Sequence, residues 1–227
     1  MEHTQSEKPA SPERGNTHAA GTIFIACVCG WVVMELEILG VRALVPSFGS
    51  AVYVVTGSVI GVFLLSLAVG YMLGGWLSGR VAAGWVLGAA LTGAGVWMVA
   101  IPYATEPVCD AAYALGLDEK WGSLAAALVL FGGPTILLGT VSPTVVHRLT
   151  TQASRSGFNA GMILAVSTIA SFAGCLVTAF YLVMCSLMLT LCVSGAVLVV
   201  LGVAILVVTA MERGEGRKGR VDEKRVK

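Results

Sequence analysis

Charged residues are scarce in this chain, and they are unevenly placed. Lys, Arg, Asp and Glu make up 12% of its 227 residues, whereas hydrophobic residues make up 56%. A soluble domain carries about 25% charged residues, so this composition excludes an ordinary soluble protein and indicates an integral membrane protein. The basic residues cluster mainly beyond the last apolar run, which argues against nucleic-acid binding.

Signatures of metal, disulfide and soluble catalytic sites are also missing. The six cysteines form no C-x-x-C pair and five of them lie in apolar runs, so we expect neither a disulfide framework nor a zinc site. No phosphate-binding loop, dinucleotide fingerprint, metalloprotease motif or nucleophile elbow occurs. We therefore expect no cofactor, no metal and no enzyme activity from this chain alone.

Long apolar runs are what the chain does have, and a spanning helix needs about 20 such residues. The charge-free stretch from Ser156 to Met211 is too long for one crossing, so we divide it at Cys185-Ser186. The predicted fold class is an all-α integral membrane bundle of six transmembrane helices, with the lipid bilayer as its surroundings. The predicted spans are residues 21–41, 51–73, 81–101, 122–141, 158–183 and 187–210.

Prolines and polar residues mark the predicted breaks between spans. We expect Pro46 and Gly49 to form a turn, Pro102 to end the third span and Pro134 to kink the fourth. Residues 102–121 then form an acidic external loop.

The distribution of Lys and Arg predicts the orientation. Six spans place both termini on one side, and with the termini inside, the inner segments hold twelve Lys and Arg residues against two in the outer segments. The positive-inside rule therefore predicts cytoplasmic N and C termini. Residues 1–20 and 211–227 become cytoplasmic tails, and their polar and charged composition predicts disorder.

Pairs of glycines four residues apart recur in the predicted spans, which is the spacing that lets membrane helices pack closely. In the second span the pairs are Gly57 with Gly61 and Gly70 with Gly74. They predict a central helix packed on several neighbours. The alternative is an interface of a homodimer.

Glu35, Glu37 and Arg42 lie in or at the end of the first span, where an ionised side chain is costly. Glu35 and Arg42 share a helix face about 10.5 Å apart along the axis, while Glu37 points roughly 200° away from Glu35. One interpretation is a proton, cation or substrate site that faces the bundle interior. The other is a structural carboxylate that is protonated or neutralised by Arg42.

Three further basic groups, Arg80, His147 and Arg148, follow even-numbered spans on the predicted inner face. They are either anchors of the positive-inside kind or contacts for a cytoplasmic gate or partner.

Three stretches carry a resemblance. The first begins at Glu37, E-I-L-G-V-R-A-L-V-P-S-F-G-S, and leads into an apolar run that ends in G-Y-M-L-G-G. The others are P-T-I-L-L-G-T-V-S-P-T-V-V-H-R-L from Pro134 and G-M-I-L-A-V-S-T-I-A-S-F-A-G from Gly161. Together they resemble the membrane domain of bacterial membrane-bound spermidine synthase-like (polyamine aminopropyltransferase-like) proteins over residues 33–182. The resemblance makes Glu37 and Arg42 the family's glutamate and arginine.

The chain departs from that family's pattern at several points. Ala170 stands where the family usually has Gly, Ser78 stands where a loop Asp is common, and the soluble catalytic domain is not present in this sequence. The resemblance therefore implies a non-catalytic membrane module in the bacterial cell inner membrane. Such a module would anchor or supply a separately encoded soluble aminopropyltransferase.

Two other functions stay open. The segment G-Y-M-L-G-G-W-L-S-G-R between the second and third spans is distantly like the corresponding loop of a major facilitator carrier, so the bundle would be like half of one. It would act as a homodimeric transporter of a polyamine or another small amine, with Glu37 as its proton or cation site. The third possibility is a purely structural membrane protein in which Glu37 and Arg42 fix the fold.

Overall fold

The chain folds into a bundle of long α-helices, seen in a computed structural model that describes residues 12–49, 52–149 and 156–225. No strand occurs within those ranges. A π-helical turn (Leu128–Gly132) joins the fourth and fifth helices, and a 3₁₀ turn (Leu182–Met184) follows the sixth. The helices are α1 (Pro12–Phe48), α2 (Val52–Ser78), α3 (Ala83–Ala114), α4 (Glu119–Ala127), α5 (Gly133–Leu149), α6 (Ser156–Phe180) and α7 (Leu187–Arg225).

Six helical segments are long and apolar enough to cross a membrane, which confirms the predicted fold class of a six-span, all-α, multi-pass membrane protein. α4, the π-helical turn and α5 form one of these spans. The segments are Gly21–Phe48, Val52–Ser78, Ala83–Ala114, Glu119–Arg148, Leu164–Met184 and Leu187–Gly214.

Predicted boundaries at prolines were wrong, because several prolines lie inside helices. Pro46 is in the last turn of α1, and α3 continues through Pro102 and Pro107 to Ala114. Most of the acidic segment predicted as a loop is therefore helical. Neighbouring helices compensate for the backbone groups that a proline frees in a membrane bundle. α3 ends instead near Gly116, whose φ of 68° is typical of a helix C-cap.

The fourth span extends past both of its predicted ends, from Glu119 to Leu149, and includes Pro143. The irregularity expected at Pro134 is the π-helical turn that directly precedes it. A proline ring collides with the carbonyl four residues earlier, and an inserted π turn relieves that collision.

Between the last two spans the predicted break is confirmed. The chain turns at Cys185 and Ser186, and α7 begins at Leu187. The carbonyl of Ser186 accepts a 3.0 Å hydrogen bond from the hydroxyl of Thr190 in the first turn of α7.

Helices also extend into both segments predicted as disordered tails. α1 begins at Pro12 and α7 continues to Arg225, while residues 1–11 and 226–227 lie outside the described residues. Proline is well tolerated in the first turn of a helix, and the Glu, Lys and Arg residues after Met211 are good helix formers. Composition alone predicted disorder and missed this continuation of neighbouring helices.

Three helix pairs build the bundle: α1 with α6, α2 with α5, and α3 with α7. The first pair runs parallel, since the hydroxyl of Ser167 bonds to the Ala26 carbonyl and Gly174 lies against Trp31 further along both helices. The α3–α7 pair is antiparallel.

The glycines of α2 divide into two groups. If a Cβ atom were added to Gly70, it would lie 2.8 Å from the Cα of Gly139, and a Cβ added to Gly74 would lie 2.7 Å from the Cα of Thr140. These two glycines let α2 pack closely on α5 in a parallel pair. Gly57 and Gly61 instead face open space, so the packing prediction does not extend to them within the described chain.

The second span packs on several neighbours as predicted, namely α1, α4 and α5, but it is not the central helix of the bundle. The most buried spans are α3 and the α4–α5 span, whereas α2 presents an apolar face on the outside of the bundle. Side chains of that face would contact lipid, where apolar exposure carries no penalty. They include Tyr53, Ile60, Leu64, Leu65 and Met72.

Candidate functional site

Glu35 is a buried carboxylate at the middle of the first span. It lies about 20 Å along the helix axis from each of Gly21 and Phe48, the ends of that span. The residue is 1% exposed. An ionised carboxylate that is buried at this depth in a membrane is costly, so protein groups must compensate for its burial.

Two side chains donate hydrogen bonds to this carboxylate. The indole Nε1 of Trp31, one turn earlier in α1, donates to Oε2 of Glu35 over 3.1 Å. The hydroxyl of Ser194 on α7 donates to Oε1 over 2.5 Å. Each carboxylate oxygen thus has one donor, which offsets part of the free-energy cost of burial.

Close contact between α1 and α6 fixes the position of Trp31. A Cβ at Gly174 would lie 2.9 Å from both the Cα and the carbonyl oxygen of Trp31, and one at Gly30 would lie 2.8 Å from the Ser167 carbonyl oxygen. The two glycines therefore let the helix backbones touch. Trp31 is held on a rigid helix pair rather than on a loop.

Ser194 is positioned by the packing of α7 on α3. The next residue, Gly195, lies against Gly95, where a Cβ would be 2.5 Å from the Gly195 carbonyl oxygen. Leu191 and Leu198, on the neighbouring turns of α7, are 0% exposed. α7 is thus held tightly on one side, and Ser194 reaches Glu35 from another.

A cavity of about 370 Å³ opens beside Glu35 between α1, α6 and α7, and we call it the Glu35 cavity. Phe24, Val28, Val193 and Val197 contribute apolar walls, and Glu35 is the charged residue of the lining. Such a cavity can hold a cation that carries apolar substituents.

Glu37 and Arg42, which the resemblance marks, are not part of this site. Glu37 is half-buried, and no hydrogen bond or ion pair joins it to the residues that the structure describes. Arg42 Nη1 donates over 2.8 Å to the carbonyl oxygen of Cys185 in the turn between α6 and α7. Neutralisation of a carboxylate by Arg42 is therefore not observed; the arginine ties the end of α1 to that turn.

The P-S-F-G segment forms a joint at the same end of the bundle. Phe48 is 1% exposed, and its ring stacks on Tyr113 of α3 with centroids 5.1 Å apart. The Tyr113 hydroxyl donates to the carbonyl of Ser47, and a Cβ at Gly122 would lie 2.8 Å from the Phe48 ring. This segment therefore connects α1 to α3 and α4, which is a structural role.

The predicted cytoplasmic contacts lie at the opposite end. The guanidinium of Arg80 lies 4.2 Å over the Trp76 ring and also bonds to the Trp76 carbonyl over 3.2 Å. His147 and Arg148 occupy the last turn of α5, where positive charge is favourable. His147 is exposed, whereas Arg148 is half-buried at a cavity that Glu212 also lines. Contact of these groups with a partner stays a prediction.

Another cavity, of about 420 Å³, lies between α1, α2, α5 and α6. It is lined by hydroxyl groups and apolar side chains, with no charged residue in its lining. The hydroxyls of Ser167, Thr168 and Ser171 already donate to main-chain carbonyls. The Glu35 cavity is the stronger candidate because it adds a buried charge.

Trp31 and Ser194 were not predicted from the sequence. The spacing of Trp31 and Glu35, four residues apart, places them on one helix face and is a usable signal. Ser194 lies in a charge-free run of apolar residues, and no pattern there indicates which of its neighbours meets α1.

Fold and site together define a helical, multi-pass membrane protein with a buried, hydrogen-bonded carboxylate beside an apolar cavity. Within the described ranges, no three His, Cys, Asp or Glu residues come together in a way that would hold a metal ion. Comparisons with known protein families, with curated proteins and with solved structures give no match.

Proposed function

We propose that this protein binds a small monovalent organic cation, an amine or a quaternary ammonium ion, at Glu35 and carries it across the membrane. The observation that supports this function is the buried carboxylate at mid-span beside an apolar cavity of about 370 Å³. Ionisable groups at that depth are costly and typically belong to ion or substrate pathways.

The surroundings of Glu35 favour this ligand class. The carboxylate supplies one negative charge, and Trp31 and Phe24 supply aromatic rings that attract cations. The remaining walls suit apolar substituents. A polyamine would bring two or three charges, and those without a partner would be buried at a large cost. The cavity therefore favours a monoamine over the polyamine that the family resemblance implies.

A ligand-induced thermal shift of the purified protein in detergent tests the proposal. Hexylamine is the monovalent probe, spermidine is the polycation, and the variants are Glu35→Gln and Glu37→Gln. Hexylamine should stabilise the wild type and the Glu37 variant but not the Glu35 variant, because binding to the folded state raises its stability. Spermidine should stabilise less at equal concentration. An equal hexylamine shift in all three proteins would overturn the proposal.

The same measurement separates a structural role for Glu35. If hexylamine shifts no protein and Glu35→Gln merely lowers the unfolding temperature, the carboxylate holds helices together and binds no amine. Glu37→Gln is the matched control, since that side chain has no hydrogen bond to the described residues.

For the orientation, we propose a bacterial inner-membrane protein with both termini in the cytoplasm. Its support is the excess of Lys and Arg in the predicted inner segments, together with Arg80 and Arg148 at one end of the bundle. Fusions at the C terminus provide the test. A fluorescent protein that folds only in the cytoplasm should be fluorescent when fused to the C terminus. Alkaline phosphatase fused at the same position should be inactive. Active phosphatase would reverse the orientation.

The second candidate function is that of a membrane module for a separately encoded aminopropyltransferase-like enzyme. It is favoured by Arg80, His147 and Arg148, which end α2 and α5 on one face of the bundle. Co-purification of the tagged protein with such an enzyme, and its loss in a triple variant with Gln at these positions, would support this function. Retention of the enzyme by the triple variant would contradict it.

A further inference from the structure

A terminal cavity continues the Glu35 cavity toward the ends of α1 and α7. Its volume is about 300 Å³, and its lining includes Thr22, Arg148 and Glu212. Phe24 lines both cavities and therefore stands between them. This residue is 57% exposed, so its ring is not locked into a packed core and has room to turn aside.

Both cavities follow one seam between α1 and α7. From Gly21 to Glu35 the seam is about 21 Å long, measured by the rise of α1. α1 and α7 touch each other sparsely along it, because α1 packs mainly on α6 and α7 mainly on α3. The seam is thus a groove that leads from one end of the bundle to the middle of the span.

Beyond Glu35 the same face of α1 is covered. Leu39, one turn further along α1 on the Glu35 face, is 0% exposed. At the far end, Arg42 ties α1 to the carbonyl that precedes α7 by a 2.8 Å hydrogen bond. Glu35 is therefore open toward one end of the molecule and sealed from the other.

We infer that the cation reaches Glu35 through this groove, from the end where α1 begins and α7 ends, and that Phe24 is the residue that selects which cations pass. The inference rests on the proposed function. Glu212 places a negative charge at the entrance and Glu35 another at the end of the groove, with an aromatic ring between them that attracts a cation. Arg148 at the entrance repels a polycation more strongly than a monovalent ion.

Native Cys27 lines the Glu35 cavity and provides a reporter of access. The other five cysteines are replaced by Ala, and the protein is reconstituted in sealed vesicles. Protease cleavage of a C-terminal tag then shows which side of the vesicle membrane carries the C terminus. The rate of Cys27 modification is then measured with two membrane-impermeant methanethiosulfonate reagents of similar size, one cationic and one anionic, added from either side.

The reagents should react from the side that carries the C terminus and not from the other side. The cationic reagent should react at least roughly tenfold faster than the anionic one, within the range by which a charged cleft concentrates counter-ions. Glu35→Gln should abolish that preference. Phe24→Ala should speed both reagents and Phe24→Trp should slow both. Phe172→Ala is the matched control, since that exposed ring on α6 lines neither cavity.

Modification from the opposite side, no modification from either side, or rates that are indifferent to Phe24 would overturn the inference. The assay needs no amine ligand, so its failure is distinguishable from failure of the proposed function. One-sided labelling of Cys27 combined with no hexylamine binding would support the groove as an access route but would contradict an amine as the ligand.

Discussion

Helix α7 meets the rest of the bundle along two seams that differ in packing. Against α3 it is in direct backbone contact, since a Cβ at Gly95 would lie 2.5 Å from the Gly195 carbonyl oxygen. Against α1 it leaves a groove that holds the Glu35–Ser194 hydrogen bond and two cavities. A seam that only holds helices together tends to fill its space with small residues. A seam that leaves space around a buried charge is where a ligand fits.

The largest effect is expected at the close-packed seam. Gly95→Val would force three carbons against the Gly195 carbonyl and against Val199, whose nitrogen would lie 2.9 Å from the new Cβ. Overpacking lowers the free energy of unfolding by about 1–3 kcal/mol in general, occasionally more. We expect a loss at the upper end of that range, because the new side chain meets backbone atoms that cannot move aside easily. Thermal unfolding and size-exclusion chromatography in detergent provide the measurement.

Gly61→Val is the matched control, since a Cβ at Gly61 meets no atom within 4 Å. It should fold like the wild type. Normal stability of Gly95→Val would show that the two seams do not differ in tightness.

The next effect is expected at the open seam. Ser194→Ala removes one of the two donors to Glu35, and a buried group that loses a partner costs about 1–3 kcal/mol. A double-mutant cycle with Glu35→Gln, followed by thermal unfolding, measures the coupling of the pair. The two losses should not add, because Glu35→Gln removes the charge that strengthens the Ser194 hydrogen bond and Ser194→Ala removes the bond itself, so both variants act on one interaction.

Thr190→Ala, one turn earlier on α7, is the control for that cycle. Its hydroxyl bonds within its own helix, to the Ser186 carbonyl, so it should show no coupling to Glu35. Simple additivity of Ser194→Ala and Glu35→Gln would mean that the open seam holds no specific pair.

A smaller change in stability is expected for Arg42→Gln, at the sealed end of the open seam. Its hydrogen bond to the Cys185 carbonyl is exposed, so its loss should cost no more than about 1 kcal/mol. Loosening of this end should let reagents reach Cys27 from the side that is closed in the wild type. Arg80→Gln, whose arginine bonds to the Trp76 carbonyl four residues earlier, should leave that side closed. Equal rates of Cys27 labelling from that side in both variants would show that the Arg42 hydrogen bond does not keep it closed.

The sequence correctly predicted those features that depend on the residue pattern within a single helix. Apolar runs defined six spans, and the charge-free stretch was divided correctly at Cys185 and Ser186. It failed at Pro102, since an ending at proline assumes that freed backbone groups meet water, whereas packed neighbours surround this helix.

The choice between the two glutamates could not be made from sequence. The helical period places Glu35 and Glu37 on different faces of α1, and it does not say which face meets α7. The resemblance favoured Glu37, but Ser194, one of the two side chains that donate to Glu35, lies 159 residues from it along the chain. Such a contact depends on how α1, α6 and α7 assemble.

The smallest effect is expected on the outer face of α2, away from both seams. Gly57→Ala adds a methyl group in open space, so it should cost no stability, and the helix preference of Ala over Gly should raise stability by at most about 1 kcal/mol. The oligomeric state in detergent, measured by light scattering, should not change for a protein that acts as a monomer. Loss of a dimer in this variant would instead show that Gly57 and Gly61 form an interface between two copies.

An infrared difference spectrum recorded on addition of hexylamine shows whether Glu35 in the open seam is the group that contacts the cation. The wild type and Glu37→Gln should show a change in a carboxyl or carboxylate stretching band, because a cation perturbs the charge distribution of the group it contacts. That change should vanish in Glu35→Gln. A carboxyl signal that persists in Glu35→Gln and vanishes in Glu37→Gln would contradict the account and assign the site to the other glutamate.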